Sequence, residues 1–245
     1  MRASRASRAL ALDTVQVMDS ELAEAVHAVG VRTVFRYLDR VKDVTTGRLG
    51  ANLTPHELDV LLDAGLRVSP VQYYSTGYES QAKGRKLSAD YGAEMGQVAC
   101  SNALSLGVPQ GVTLWRDLED VPDATPDQVV ADCKAWGKVV VNHGFEAGLY
   151  VGAGLGSQAT GYVRGDDLYG LPYYRSYWRA ASVVPQLPKR GWCVIQGSEQ
   201  TMKIQCESGV RELHVDFDMI ALDHRYQADR ARGDESPGRF LAISA

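Results

Sequence analysis

Apolar positions along the chain fall into two alternating patterns. Short runs bounded by turn residues are separated by longer stretches with apolar residues three and four apart, the order expected when helices cover a parallel sheet. Residues 10–13 form the first run, and residues 19–29 follow with Leu22, Ala25, Val26 and Val29 on one helical face, closed by Gly30. A second strand is predicted over 31–38. After it, Thr54-Pro55-His56-Glu57 gives a capping-box pattern with proline at the first helical position, opening a helix to about residue 64. Residues 67–74 read as a strand, 80–106 as a long helix and 111–119 as the fourth strand. Thr125-Pro126-Asp127-Gln128 repeats the cap-plus-proline signal and starts a helix reaching 143, followed by a strand over 148–152. Three last strands, 173–181, 192–196 and 213–220, are joined by links too short and too rich in proline and glycine for full helices.

This order predicts an α/β fold, a (β/α)8-type TIM barrel whose helices are thin or missing in the second half. The barrel spans residues 10–223, preceded by a basic extension, 1–9, and followed by a surface tail, 224–245, without apolar period. A length of 245 residues suits one such domain.

Composition narrows the function. With 45% hydrophobic and 23% charged residues the chain has the balance of a folded protein, and a net charge of −4 excludes a global basic field for nucleic acid or an anionic membrane. The apolar run after the basic opening stops at Asp13, short of a signal-peptide core or a membrane span. The expectation is a protein made in the cytoplasm, without membrane insertion, that reaches the cell wall or periplasm by release or by a delivery machine of phage or secretion type. Cys100, Cys133, Cys193 and Cys206 lack metal-ligand spacing and read as buried thiols. Gly152-Ala-Gly154-Leu-Gly156 lacks the lysine of a phosphate loop and reads as a tight turn. No cofactor and no metal are expected.

In a parallel barrel, chemistry sits at the carboxyl ends of the strands. Acids stand there repeatedly: Asp13 ends the first strand, Asp117 and Glu119 the fourth, and Asp216 and Asp218 lie in the last. Strand side chains alternate, so Asp117 and Glu119 share the lumen face while Leu118 points to the helices. Such a pair suits glycosidic cleavage, one acid protonating the leaving oxygen while the other stabilises charge developing on the sugar. The bland alternative is a solvated strand end. Tyr73, Tyr74, Tyr150, Tyr177 and Trp178 collect at strand ends, where they offer sugar-stacking faces or core packing. Arg36, Tyr37 and Gln196 could bind substrate or hold the carboxylates, and for Arg36 a structural ion pair is an equal possibility.

Five segments in this order, Ala11-Leu-Asp13, Phe35-Arg-Tyr37, Leu114-Trp-Arg-Asp-Leu-Glu119, Trp192-Cys-Val-Ile-Gln196 and Val215-Asp216-Phe-Asp218, carry a family resemblance. The chain resembles the glycoside hydrolase-like barrel domains of unknown function related to the family 25 lysozymes. That resemblance implies a muramidase-like hydrolase acting on peptidoglycan between N-acetylmuramic acid and N-acetylglucosamine. It places the general acid on Glu119 and its partner carboxylate on Asp117, with Asp13 and Asp216 in support. Two other readings remain: a wall-glycan-binding barrel without turnover, and a metal-dependent hydrolase built on the same acids.

Overall fold

Helix starts in this chain are set by side chains that replace missing backbone partners. Asp19, Thr54, Ser88 and Thr125 each accept a hydrogen bond from the backbone N–H three residues on. They open α1 (Ser20–Ala28), α2 (Pro55–Asp63), α3 (Ala89–Ser105) and α4 (Pro126–Asn142), with Pro55 and Pro126 in the first turn where no donor is lost. Thr125 and Gln128 complete a reciprocal capping box. At α2 only half of that motif forms, because the Glu57 carboxylate is drawn elsewhere, as described below.

The computed structural model describes residues 2–5, 9–39, 52–75, 86–119, 124–152, 168, 171–180, 194–220 and 239–242. Its strands are β1 (Arg2–Arg5), β2 (Ala9–Asp13), β3 (Val31–Asp39), β4 (Arg67–Ser75), β5 (Thr113–Glu119), β6 (Glu146–Val151), β7 (Tyr174–Ala180), β8 (Val194–Cys206), β9 (Gly209–Ile220) and β10 (Arg239–Ala242). Neighbours run β4-β3-β2-β9-β8-β7-β6-β5, and β5 pairs back onto β4, so eight strands close a ring. The α/β order expected from the apolar pattern is present from β2 to β6.

The ring departs from an all-parallel barrel at one strand. Pairing is parallel from β2 to β4, on to β5 and around to β8, but β9 runs antiparallel to both β8 and β2. The cause is the connection: Glu207 and Ser208 alone separate the two strands, and a hairpin that tight reverses the chain, whereas a parallel return needs a dozen residues or more. Gly209 takes the positive φ of 129° that the turn requires. The strand predicted over 192–196 overlaps the start of the longer β8, with 192 and 193 outside the described residues, the one predicted over 213–220 is the second part of β9, and Cys206, expected in a loop, ends β8. The extra length of β8 is hidden in the sequence by the polar, exposed run 197–201, which interrupts the apolar pattern before Met202, Ile204 and Cys206. The long helix expected from residue 80 starts at Ala89 instead, because residues 86–88 are not helical and Ser88 caps the helix in an extended conformation; residues 76–85 lie outside the described residues. The two chain ends, expected as an extension and a surface tail, supply β1 and β10, which pair with each other, while Leu241 pairs with Val68 of β4.

Alternation along each strand splits the core in two. Ala11, Phe35, Tyr37, Val71, Trp115, Tyr150, Trp178, Val194 and Ile220 fill the lumen. The opposite faces pack under the helices with Leu22, Val26, Leu58, Leu61, Met95 and Trp136, among others. Two glycines make these contacts possible. A Cβ at Gly92 of α3 would stand 2.2 Å from the Asp132 carbonyl oxygen of α4, and one at Gly148 of β6 would stand 2.6 Å from the Trp115 ring. Among the described residues, no helix is long and apolar enough to cross a membrane.

Candidate active site

The lumen is a packed column of rings with polar atoms at one end. Trp115 and Trp178 meet edge to face at 5.9 Å, Phe35 lies 4.5 Å from Trp178, and Tyr150 lies 4.6 Å from it on the other side. The Trp115 indole N–H donates to Ser69 Oγ at 2.8 Å, so this buried donor is satisfied. Above the rings, towards the carboxyl ends of the parallel strands, sit the acids. Register places Asp13 opposite Asp216, Ala11 opposite Asp218, and Gln196 opposite Asp218, bringing β2, β8 and β9 to one patch.

Gln196 ties that patch together. Its amide Nε2 donates to Asp13 Oδ2 at 2.9 Å and to Asp216 Oδ2 at 3.2 Å, while its Oε1 accepts from the Tyr150 hydroxyl. Only this orientation of the amide works, because both carboxylates need donors and the phenol needs an acceptor. Tyr37 adds a long hydrogen bond, 3.4 Å, to Asp13 Oδ1, and stands edge-on to Tyr73 at 6.0 Å. Among the described residues no group of three or more His, Cys, Asp or Glu is disposed to hold a metal ion. In the patch itself, an amide NH2 stands between two of the acids.

Burial shapes the electrostatics. Asp218 is 1% exposed, and burial, reinforced by the charge on Asp13, pushes its carboxyl well above the usual carboxylate range. The Trp178 indole N–H counters this from outside good hydrogen-bond geometry. Asp216 is half-buried, and burial followed by the charge of Glu199 raises it as well. Across the ring, Asp117 of β5 pairs in register with Tyr73 and Tyr150, shares the face of Trp115, and is 2% exposed. Glu119 ends the same strand two positions along, opposite Ser75; its side chain, like that of Tyr74, lies outside the described residues.

The helix-facing side chains of the same motifs build anchors. Arg36 is fully buried and forms a two-pronged ion pair with Glu57, Nε to Oε1 and Nη2 to Oε2, both 2.8 Å, while Nη1 donates to the Thr14 carbonyl at 2.7 Å. Glu57 Oε1 also accepts from the Met18 N–H at 3.1 Å, so α2 is locked to the loop that follows Asp13. Arg116 repeats this on β5: Nη2 to Asp132 Oδ1 and Nη1 to Gln72 Oε1, both 3.0 Å, with Gln72 also accepting from the Trp136 indole at 2.7 Å. Burial pushes the Asp132 carboxyl up, against the pull of Arg116.

The comparisons with known proteins bear on this geometry. A family model described as the Rv2525c-like, glycoside hydrolase-like domain matches residues 24–226. The chain belongs to that family. Among solved structures, an uncharacterized Bacillus stearothermophilus protein superposes with a TM-score of 0.60 at 20% identity, covering 89% of this chain and 97% of that one. The Mycobacterium tuberculosis Tat-secreted protein Rv2525c, solved with L-tartrate, superposes with a TM-score of 0.60 at 17% identity, covering 88% and 96%. At these identities the likeness is one of fold. A Bacillus subtilis relative, the uncharacterized protein YbfG, is 37% identical over 107 residues, which is 44% of this chain and 14% of YbfG.

For this Rv2525c-like domain the expected site residues sort into three groups. Asp13, Asp216, Asp218, Gln196 and Tyr150 gather in one hydrogen-bonded or adjoining patch, with Tyr37 and the half-buried Tyr73 beside it. Asp117 and Glu119 lie across the ring on β5. Arg36, offered as a substrate ligand, is a correction: it points into the helix layer, and the structural ion pair is what is found. Trp178, offered as a stacking face, is 1% exposed and packs among the lumen rings. Glu57 and Asp132 were not foreseen as partners. Asp132 left a signal, an acid one residue before Cys133 on the buried stripe of Val129, Cys133, Trp136 and Val140, where a lone charge needs a partner. A surface cavity of about 380 Å3 lies outside the ring, lined by Ser20, Glu21 and Glu24 of α1 and by Gln205, Cys206 and Glu207, and contains none of the expected site residues.

Proposed function

We propose that this chain is a peptidoglycan-directed glycoside hydrolase of muramidase type, with Glu119 as general acid and Asp117 as its partner carboxylate. The observation that carries the reading is Asp117 on the lumen face at the carboxyl end of β5, in register with Tyr73 and Tyr150, with Glu119 two positions along at the same strand parity. Membership in a glycoside hydrolase-like family supports it. Asp117 is 2% exposed, so a carboxylate there meets positive charge developing on a sugar ring with little screening by water. Asp13, Asp216 and Gln196 complete the lumen wall opposite, with Tyr73 offering a ring edge and Asp218 beneath. The Tat-secreted status of Rv2525c supports a substrate outside the cytoplasm, reached by release or by a delivery machine.

One observation favours a second reading. Asp117, Tyr150 and Trp178 are 2%, 3% and 1% exposed, which suits a barrel that holds glycan at its rim without cutting it. Purified wall material separates the two. The hydrolase releases reducing ends, and Glu119→Gln lowers the rate by a hundredfold or more, roughly the scale of general-acid contributions. Sedimentation with the wall but no release by the unaltered protein supports the binding barrel; equal release by both proteins removes Glu119 from its role.

A further inference from the structure

The patch at β2, β8 and β9 contains one carboxyl that its surroundings do not solvate. Asp218 is 1% exposed, and neither of its oxygens has a hydrogen-bond donor in good geometry. Asp13, by contrast, receives the Gln196 amide and the Tyr37 hydroxyl. Strand register makes the two acids diagonal neighbours on one face, since Asp218 stands opposite Ala11 and Asp216 opposite Asp13. The described groups acting on Asp218 are Asp13 from β2, Asp216 on its own strand and the Trp178 indole from β7; Asp216 in turn faces Glu199 of β8. None of these supplies a positive charge.

We infer that Asp13 and Asp218 form a carboxyl pair sharing one proton, in which Asp218 carries the hydrogen and Asp13 the charge, and that Asp218 thereby acts as the positioning residue for the Gln196 bridge. A buried carboxylate without donors is strongly disfavoured, whereas a neutral carboxylic acid beside a carboxylate can donate its hydrogen to it. One proton leaves the pair with one negative charge instead of two. Asp13 stays ionised, holds one Gln196 N–H, and so fixes the other on Asp216 and the carbonyl on Tyr150. The raised affinity of Asp218 for its proton agrees with this arrangement. The pairing concerns the proposed site but does not rest on turnover, so loss of the hydrolase reading leaves it standing.

The test is an NMR titration of isotope-labelled aspartate carboxyls in the full chain, comparing the unaltered protein with Asp218→Asn and Asp13→Asn. One aspartate carboxyl is expected to remain protonated at neutral pH, to be missing in Asp218→Asn, and to titrate about one pH unit or more lower in Asp13→Asn, a tenfold loss of proton affinity. A merely structural Asp218 would not respond to Asp13. If every aspartate is ionised at neutral pH in the unaltered protein, or if Asp13→Asn leaves the Asp218 midpoint in place, the shared proton is wrong. The unaltered protein alone can deliver the first of these results, so the test survives a variant that fails to fold.

Discussion

The two faces of the strand ring treat charge in opposite ways. Towards the helices, Arg36 meets Glu57 and Arg116 meets Asp132, each pair buried and each tied to further backbone or amide groups. Towards the lumen, the acids of the described patch meet an amide, phenols and one another. Folding can use a buried charge when a partner neutralises it, and acids kept close together without that neutralisation hold shifted proton affinities of the kind chemistry uses. Each anchor sits one residue from a lumen side chain, Arg36 beside Tyr37 and Arg116 beside Asp117. The helix side thus fixes the strand ends from which the site is presented.

The largest effect should come from breaking an anchor. Glu57→Ala leaves the Arg36 guanidinium buried and unpaired, and chemical denaturation should show a loss of about 3–5 kcal/mol. A change below about 1 kcal/mol would mean that the helix face does not depend on the pairing. Next comes the lumen packing. Gly148→Ala puts a methyl group against the Trp115 ring, and thermal unfolding should show a cost of about 1–3 kcal/mol together with altered tryptophan fluorescence.

The most specific effect, and the smallest over any single pH unit, belongs to the lumen acids. Because the folded pKa of Asp218 lies above the unfolded value of about 3.9, the folded state holds the proton longer than the unfolded chain does. Its contribution to stability is therefore greatest below about pH 4 and declines as pH rises towards the folded pKa, by at most about 1.4 kcal/mol per pH unit. Stability measured against pH for Asp218→Asn should lack that decline. Curves of the same slope for both proteins would show that Asp218 ionises normally and that the contrast between the two faces is not electrostatic.

How much of this was legible in the sequence follows from which signals are local. Caps at helix starts, and apolar runs at strand positions, located β2 to β6 and the helices α1, α2 and α4 closely, since caps and alternation act over a few residues, while α3 was read as starting too early. The strand-end acids were legible for the same reason. The direction of β9 was not, because it depends on the hairpin at Glu207 and Ser208, and the polar run 197–201 separates the alternating Met202, Ile204 and Cys206 from the strand read over 192–196. Nor were β1 and β10, whose pairing joins the two ends of the chain. Arg36 shows the limit most plainly: alternation puts it on the face opposite Phe35 and Tyr37, its type left a ligand role and a structural ion pair equally open, and the contact with Glu57 decides for the pair.

The central claim is that glycan chemistry takes place at the acidic end of the lumen. A crystal structure with an N-acetylglucosamine oligosaccharide tests it most directly. The account predicts a sugar ring at the carboxyl end of β5, with the Asp117 carboxylate within hydrogen-bond reach of the ring substituents and the Asp13–Gln196–Asp216 bridge on the opposite wall. A saccharide bound outside the ring, or a lumen that stays closed over Asp117 at saturating sugar, would contradict it.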